Sequence, residues 1–251
     1  MAQVIESQYP GGAVLNFRDP ALTDEDRVRM VTQMSPKIRI AAGHLNYSYA
    51  KLFPRPARIF TMLRDPTERI ISSYYYIERE PRHPLHDAFK KGEVTIETLA
   101  KRQGRVQACF IAGYQASDPI PDGELLAQAK DVLQNRMLAI GITERFDESL
   151  LLYNQALGWK VRSYVSANVT SNRPKRDQIA AGELTIIQDN NYVDQSLYDL
   201  AREIFEKRIA EQPPAFAGDL ASLRRNVTMA HGMSWVRSGI DRVKRALSLK
   251  N

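Results

Sequence analysis

Three side chains of this 251-residue sequence have types and spacings that could do chemistry together: His44, Arg64 and Ser72. Arg64 follows the apolar run at 59–63, and Ser72 comes two helical turns later, in IFTMLRDPTERIISSYYY. A guanidinium offers a planar fork of donors and a serine offers a hydroxyl. Together they suit a phosphate group, whose oxygens accept directed, charge-assisted bonds. Arg69, Ser72, Ser73 and Tyr76 recur at three- and four-residue intervals, which on a helix places them on one side. The same corner also has a ligand-free explanation. Asp65 suits an N-cap, Pro66 the first helical residue and Glu68 the third, so DPTE has the order of an acidic capping box. His44 follows Gly43 at the end of a second strand-like run, KIRIAAG. If the two strands run parallel, their ends share one crevice, where an imidazole can titrate near neutral pH and take a proton from a bound hydroxyl.

Holding these groups requires strands that stop at 43 and at 63, and the pattern supplies them. AQVIESQY reads as the end of a helix stopped by Pro10, Gly11 and Gly12, followed by a short strand, AVLNF. A helix capped by Thr23 or Asp24 comes next, with acids in its first turn. The strand KIRIAAGHL, a short tyrosine-bearing helical piece and the strand ARIFTML follow. Residues 66–80 are expected to be helical, 84–135 to hold several shorter helices, and MLAIGI (137–142) to be a buried strand. FDESLLLYNQALG and YVDQSLYDLAREIFEKRIAEQ read as amphipathic helices ended by Gly158 and by Pro213–Pro214. Strands alternating with helices predict an α/β fold with a mainly parallel sheet, whose ligands gather at the carboxyl ends of the strands.

Composition narrows the function classes. No apolar run reaches the ~18 residues a membrane-spanning helix needs, and the first residues lack a signal-peptide pattern. A soluble, cytoplasmic protein is therefore expected. One cysteine, Cys109, excludes an internal disulfide and a cysteine metal cluster, and its apolar neighbours predict a buried thiol. His83 and His86 are close in sequence but have no third ligand at metal spacing, so no metal site is expected. From Arg224 onward, seven cationic side chains and one acid account for the whole net charge of +6, leaving the body neutral. The tail stretch SWVRSGIDRVKRALSLK has a helical apolar stripe with cations opposite. It suits docking on its own domain, and is also the segment able to touch an anionic membrane surface. No DNA-recognition motif accompanies it, so no nucleic-acid partner is expected. No Walker-type lysine or metal-holding Asp arrangement supports a kinase.

The segments AAGHLNYSYAKLF and ARIFTMLRDPTERIISSYYY resemble the sulfotransferases that include heparan sulfate 2-O-sulfotransferase. AIGITERFDESLLLYNQALGW and LYDLAREIFEKRI resemble that family's closing strand-helix and last long helix, so the likeness runs with gaps from about Tyr9 to Glu211. It implies a P-loop-NTPase-like sulfotransferase fold, with a mainly parallel central sheet flanked by helices over residues 1–215; the charge pattern sets 216–251 apart as a basic, partly amphipathic tail. The implied donor is 3′-phosphoadenosine 5′-phosphosulfate, and the acceptor is a hydroxyl of a glycan or other molecule. The family's Gly-His base falls on His44, and the arginine and serine that hold the donor's 3′-phosphate fall on Arg64 and Ser72. The loop NVTSNRPKR falls where the family has a loop near the nucleotide, which implies a donor contact from Arg173 or Lys175. One departure stands out. The family's first strand and its PKTGTT-like loop, which grips the 5′-phosphosulfate at a helix N-terminus, have no counterpart here. AQVIESQY then corresponds to the helix after that loop, and the implied alternative to an enzyme is a noncatalytic nucleotide-binding or scaffold relative.

Overall fold

A computed structural model describes residues 1–19, 22–165 and 174–248 of the chain, and side-chain surroundings as far as residue 231. Helix α1 (Ala2–Gln8) ends before a Pro10–Gly12 turn whose two glycines take positive φ, and β1 (Val14–Phe17) follows. Helix α2 (Asp24–Thr32) starts on a complete capping box, in which Thr23 and Asp26 satisfy each other's backbone N–H. Next come β2 (Ile40–Gly43), a tight 3-10 turn (Tyr47–Leu52) capped by Asn46, and β3 (Ile59–Leu63). Helices α3 (Pro66–Arg79), α4 (His86–Lys90), α5 (Ile96–Gln103), α6 (Val106–Ala112) and α7 (Asp122–Asn135) lead to β4 (Met137–Ile142). The chain finishes with α8 (Phe146–Leu157), α9 (Ala181–Asn190), α10 (Tyr192–Ala210) and α11 (Ala215–Ser248).

All strand pairings among the described residues are parallel, as an α/β chain with helical crossovers requires. They do not form the one central sheet that the sequence predicts. β1 pairs with β2, from Val14 opposite Ile40 to Phe17 opposite Gly43, while β3 pairs separately with β4, from Ile59 opposite Met137 to Leu63 opposite Ile142. Between the two ladders lies a cavity of about 920 Å³, lined without a break by residues 38–45 of the β2 wall and 57–64 of the β3 wall. Successive strand side chains point to opposite faces. An unbroken lining therefore means that the cavity runs along the edges of β2 and β3, and among the described residues no strand pairs with either edge.

The main core gathers on β3 and β4. Leu63, Ile140 and Ile142 pack with Leu150 and Tyr153 of α8, Leu133 of α7, and Leu197 and Phe205 of α10. Each such apolar side chain withdrawn fully from water contributes ~1.5–3 kcal/mol. A second cluster joins the apolar face of α3 (Ile70, Ile71, Ile77) to Ile96 and Leu99 of α5 and Ile187 of α9. Fixed in this way, α3 brings one residue of its first turns, Arg69, to the cavity. The basic tail begins as an integral helix: Phe216 and Leu223 of α11 enter the main core, and Arg224 lies 3.3 Å from both Asp147 and Glu148. The amphipathic stretch from Trp235 to Leu247 lies beyond the described side chains. No helix among the described residues is long and apolar enough to cross a membrane.

Candidate functional site

Arg64 sits one residue past the end of β3, where the chain turns into α3. Asp65 caps the helix by accepting the Glu68 N–H at 2.9 Å, as DPTE predicts. The reciprocal half of the expected box is replaced. The Asp65 N–H donates to Glu144, 3.1 Å away, because the turn after β4 brings that carboxylate alongside; its other oxygen accepts from the Tyr198 hydroxyl at 2.9 Å. The backbone of Arg64 is gripped from α6. The Gln107 side chain accepts from the Arg64 N–H and donates to its carbonyl, both at 2.9 Å, as a neighbouring strand would.

One turn into α3, Arg69 lines the cavity together with Arg64. Its guanidinium donates to the side chain of Gln103 at 3.1 Å and also to the Gln103 carbonyl, while its buried Nε makes no hydrogen bond. Asp194 of α10, wholly buried, stands 3.8 Å from it and accepts from the Gln107 and Ala108 N–H groups at 3.0 and 2.8 Å. Burial pulls the Arg69 pKa down; Asp194 opposes that, and the neighbouring Arg64 charge adds to it. Burial pushes the Asp194 carboxyl up to about 6, against the opposing pull of Arg69 and the backbone donors. Asp194 thus ties Arg69 to the first turn of α6.

His44 enters from the opposite wall. Its N–H donates to the Phe17 carbonyl at 2.9 Å, which fixes it at the end of the β1–β2 ladder, and its ring meets Phe110 edge-on with centroids 6.5 Å apart. Burial, and then the charge of Arg27, hold its pKa below the ordinary 6.5, so the imidazole is neutral at pH 7. A neutral imidazole can accept a proton.

Of the residues singled out in the sequence, Gly43, His44, Arg64 and Arg69 line one cavity. Ser72, half-buried on α3, is not part of that lining. Arg173 lies outside the described residues. Lys175 is exposed ahead of a short turn, its N–H donating to Gln178 at 2.8 Å. Among the described residues of that loop, its neighbour Arg176, not singled out beforehand, reaches the corner, 3.7 Å from Asp65. Cys109 is buried and its thiol is pushed up to about 11 by desolvation, far from reactive. His83 and His86 serve the α3–α4 turn, His83 Nδ1 accepting from the Leu85 N–H at 3.1 Å and His86 meeting the Ile77 carbonyl at 2.8 Å. No group of three or more His, Cys, Asp or Glu side chains able to hold a metal ion occurs among the described residues. Gln107 and Asp194 escaped the sequence reading. A lone amide in VQACFIA and a lone acid at a helix start look like ordinary surface and first-turn residues.

Chemically, the cavity sets a proton acceptor on one wall and a pair of fixed cations on the other. That combination can hold an anion close to a hydroxyl that is losing its proton. Among curated proteins, the chain is 23% identical over 233 residues to heparan sulfate 2-O-sulfotransferase 1 of Mus musculus, an alignment that covers 83% of this chain and 65% of that protein. The chain therefore spans somewhat less than two thirds of the relative's length. No family model matches. The likeness is a distant one, to a sulfotransferase.

Proposed function

We propose that the protein is a sulfotransferase that moves a sulfuryl group from 3′-phosphoadenosine 5′-phosphosulfate to a hydroxyl of a glycan or other acceptor. The observation that carries this is the opposition of neutral His44 to Arg64 and Arg69 across one cavity. In the proposed step the acceptor oxygen attacks sulfur, its proton passes to the His44 imidazole, and the bond from sulfur to the bridging phosphate oxygen breaks. The departing product is adenosine 3′,5′-bisphosphate. Arg69, desolvated and held by Gln103 and Asp194, needs little reorganisation to face an anionic group of the nucleotide, and Arg64 lines the same cavity with its backbone clamped by Gln107. Ser72 and the basic loop carrying Arg173 and Lys175 belong to the same proposed donor site.

The fold that goes with this function is the P-loop-like sulfotransferase fold, whose first strand and phosphate loop have no counterpart among the 251 residues. The cavity between β2 and β3 supports this reading. It has two parallel strand edges facing it, which is where a further parallel strand would pair and join the ladders into one sheet. A chain carrying such a strand and a Lys-x-Gly-Thr-Thr loop ahead of α1 is expected to transfer sulfate much faster than residues 1–251 alone. Equal donor-dependent sulfation by both forms would show the loop to be dispensable.

One rival is a noncatalytic relative that binds nucleotide through the Arg64 corner. Replacing His44 with Ala separates the two. The enzyme retains affinity for adenosine 3′,5′-bisphosphate and loses transfer, by a factor on the order of 10²–10⁴ for a general base. A protein whose transfer rate is indifferent to that change is not using His44, and the proposed mechanism fails.

A further inference from the structure

The proposed reaction uses only one end of the cavity between β2 and β3. Two residues one turn apart on α6 mark that end: Phe110 meets the His44 ring, and Gln107 clamps the Arg64 backbone. The carboxyl ends of both strands therefore meet at one end of the cavity, and their amino ends at the other. Arg39, just before β2, and Arg55 and Arg58, just before β3, line that second end. The Arg39 N–H donates to the Ala13 carbonyl at 2.9 Å, which fixes it at the head of the β1–β2 ladder. Arg58 donates to the Ala156 carbonyl in the last turn of α8, and Arg55 stands between two prolines that restrict its backbone. All three residues are exposed, and among the described residues no carboxylate pairs with any of them. Arginines line the cavity at both ends, and no Asp or Glu belongs to its lining.

We infer that Arg39, Arg55 and Arg58 form an anchor for carboxylates, and that its occupant is an extended polypeptide segment with acidic side chains just ahead of its strand-forming residues. This anchor rests on the proposed strand between β2 and β3, and adds the direction and the charge of that strand. The strand edges favour a peptide over a small anion. Neither Ile40–Gly43 nor Ile59–Leu63 contains a charged residue or a proline, which are common guards against edge pairing, so both edges are open to an added strand. Running parallel to both, that strand starts beside Arg39 and Arg55 and ends beside His44 and Arg64. Acids preceding its first residue then meet guanidinium groups, whereas lysines in the same places are repelled. Five residues of strand span roughly 16 Å. At that distance from His44 and Arg64, the anchor selects the segment and takes no part in transfer.

The test uses the full chain and two short peptides with blocked ends. One carries a pair of glutamates followed by alternating valine and threonine, and the other has lysines in place of the glutamates. Affinity is read by calorimetry, and strand addition by hydrogen exchange at the β2 and β3 amides not already paired to β1 or β4. Expected is protection of those amides by the acidic peptide, which binds at least ~5-fold more tightly than the lysine peptide, by a margin that shrinks as salt rises. Arg39→Gln combined with Arg55→Gln, both at exposed sites, should remove most of that margin and leave the pattern of protection in place. Equal binding of the two peptides to the wild type, with the amides protected, would keep the strand and overturn the anchor. Absence of protection by either peptide overturns both. Citrate that binds as tightly as the acidic peptide without protecting the amides would make the cluster a small-anion site. Protection that grows with protein concentration and needs no peptide would give the cavity to a second copy of the chain. Either result overturns the inference. No arm of the experiment reads transfer, so failure of the sulfotransferase reading alone leaves these outcomes unchanged.

Discussion

Gly43 and Phe17 are pressed together at the end of the β1–β2 ladder: a β-carbon on Gly43 would stand 2.4 Å from the Phe17 carbonyl carbon. The φ of Gly43 is +133°, a conformation that side chains rarely adopt. The next residue is His44, and its N–H bonds the same Phe17 carbonyl. A glycine here lets the candidate base sit tight against β1. Gly43→Ala is expected to cost about 1–3 kcal/mol in backbone strain and close contact, read as a lower urea midpoint. It is also expected to depress transfer more than nucleotide binding, because it displaces His44 and leaves Arg64 alone. Equal loss of both would mean that His44 and the cations are not separately positioned.

If His44 is the base of the proposed reaction, the pH dependence of transfer is set by its surroundings. Burial and the Arg27 charge favour the neutral ring, so its folded pKa lies below the ordinary value of 6.5. A base must be unprotonated. Transfer should therefore be level through neutral pH and fall only on the acid side, with a midpoint below 6.5. Arg27→Met removes one of the two causes, and the acid limb should shift upward toward the ordinary value. An acid limb unmoved by that change would remove Arg27 from the account of His44.

Arg64 and Ser72 were paired in the sequence as joint phosphate ligands, but the structure treats them unequally. Arg64 lines the cavity with its backbone clamped, whereas Ser72 is outside the lining. Arg64→Ala should weaken adenosine 3′,5′-bisphosphate binding by ~10- to 150-fold, the range for losing a charged hydrogen-bonding partner. Ser72→Ala should cost no more than about fivefold, in keeping with one neutral hydrogen bond. Calorimetry on both variants decides the matter, and a Ser72 loss as large as that of Arg64 would restore the equal pairing.

What the sequence disclosed depended on range. Local signals were reliable. The strand MLAIGI is β4 residue for residue, Pro66 opens α3, and Gly158 ends α8 in a left-handed conformation. Contacts between distant segments carried no such signal. Glu144 displaces Glu68 as the acceptor of the Asp65 N–H across a long stretch of chain, and Gln107 and Asp194 gain their roles only when α6 and α10 meet behind the corner. The division into two ladders was equally hidden. Strand propensity is read one segment at a time and says nothing about which edges find partners. His44 and Arg64 could be named because each stands beside a local marker, a glycine at one strand end and a cap at the other.

One prediction concerns the support beneath the cavity wall and needs no assumption about activity. Tyr153 is wholly buried on α8, and its hydroxyl donates to the Thr61 carbonyl of β3 at 2.6 Å. Burial holds that phenol well above its ordinary pKa, so it remains a donor at every accessible pH. Gly141 on β4 makes room for it, since a β-carbon there would lie 2.2 Å from the hydroxyl oxygen. Tyr153→Phe keeps the ring and its edge-on packing against Phe60 and Trp159 and deletes only the bond. It should cost about 1–3 kcal/mol, the penalty for stranding a buried acceptor. Gly141→Ala in the wild-type background should cost more, because the ring must move. In the Tyr153→Phe background, where the oxygen is gone, the alanine should cost distinctly less than in the wild type. A double-mutant cycle by urea denaturation measures this coupling, and strictly additive losses would show that Gly141 is small for a reason other than the tyrosine hydroxyl.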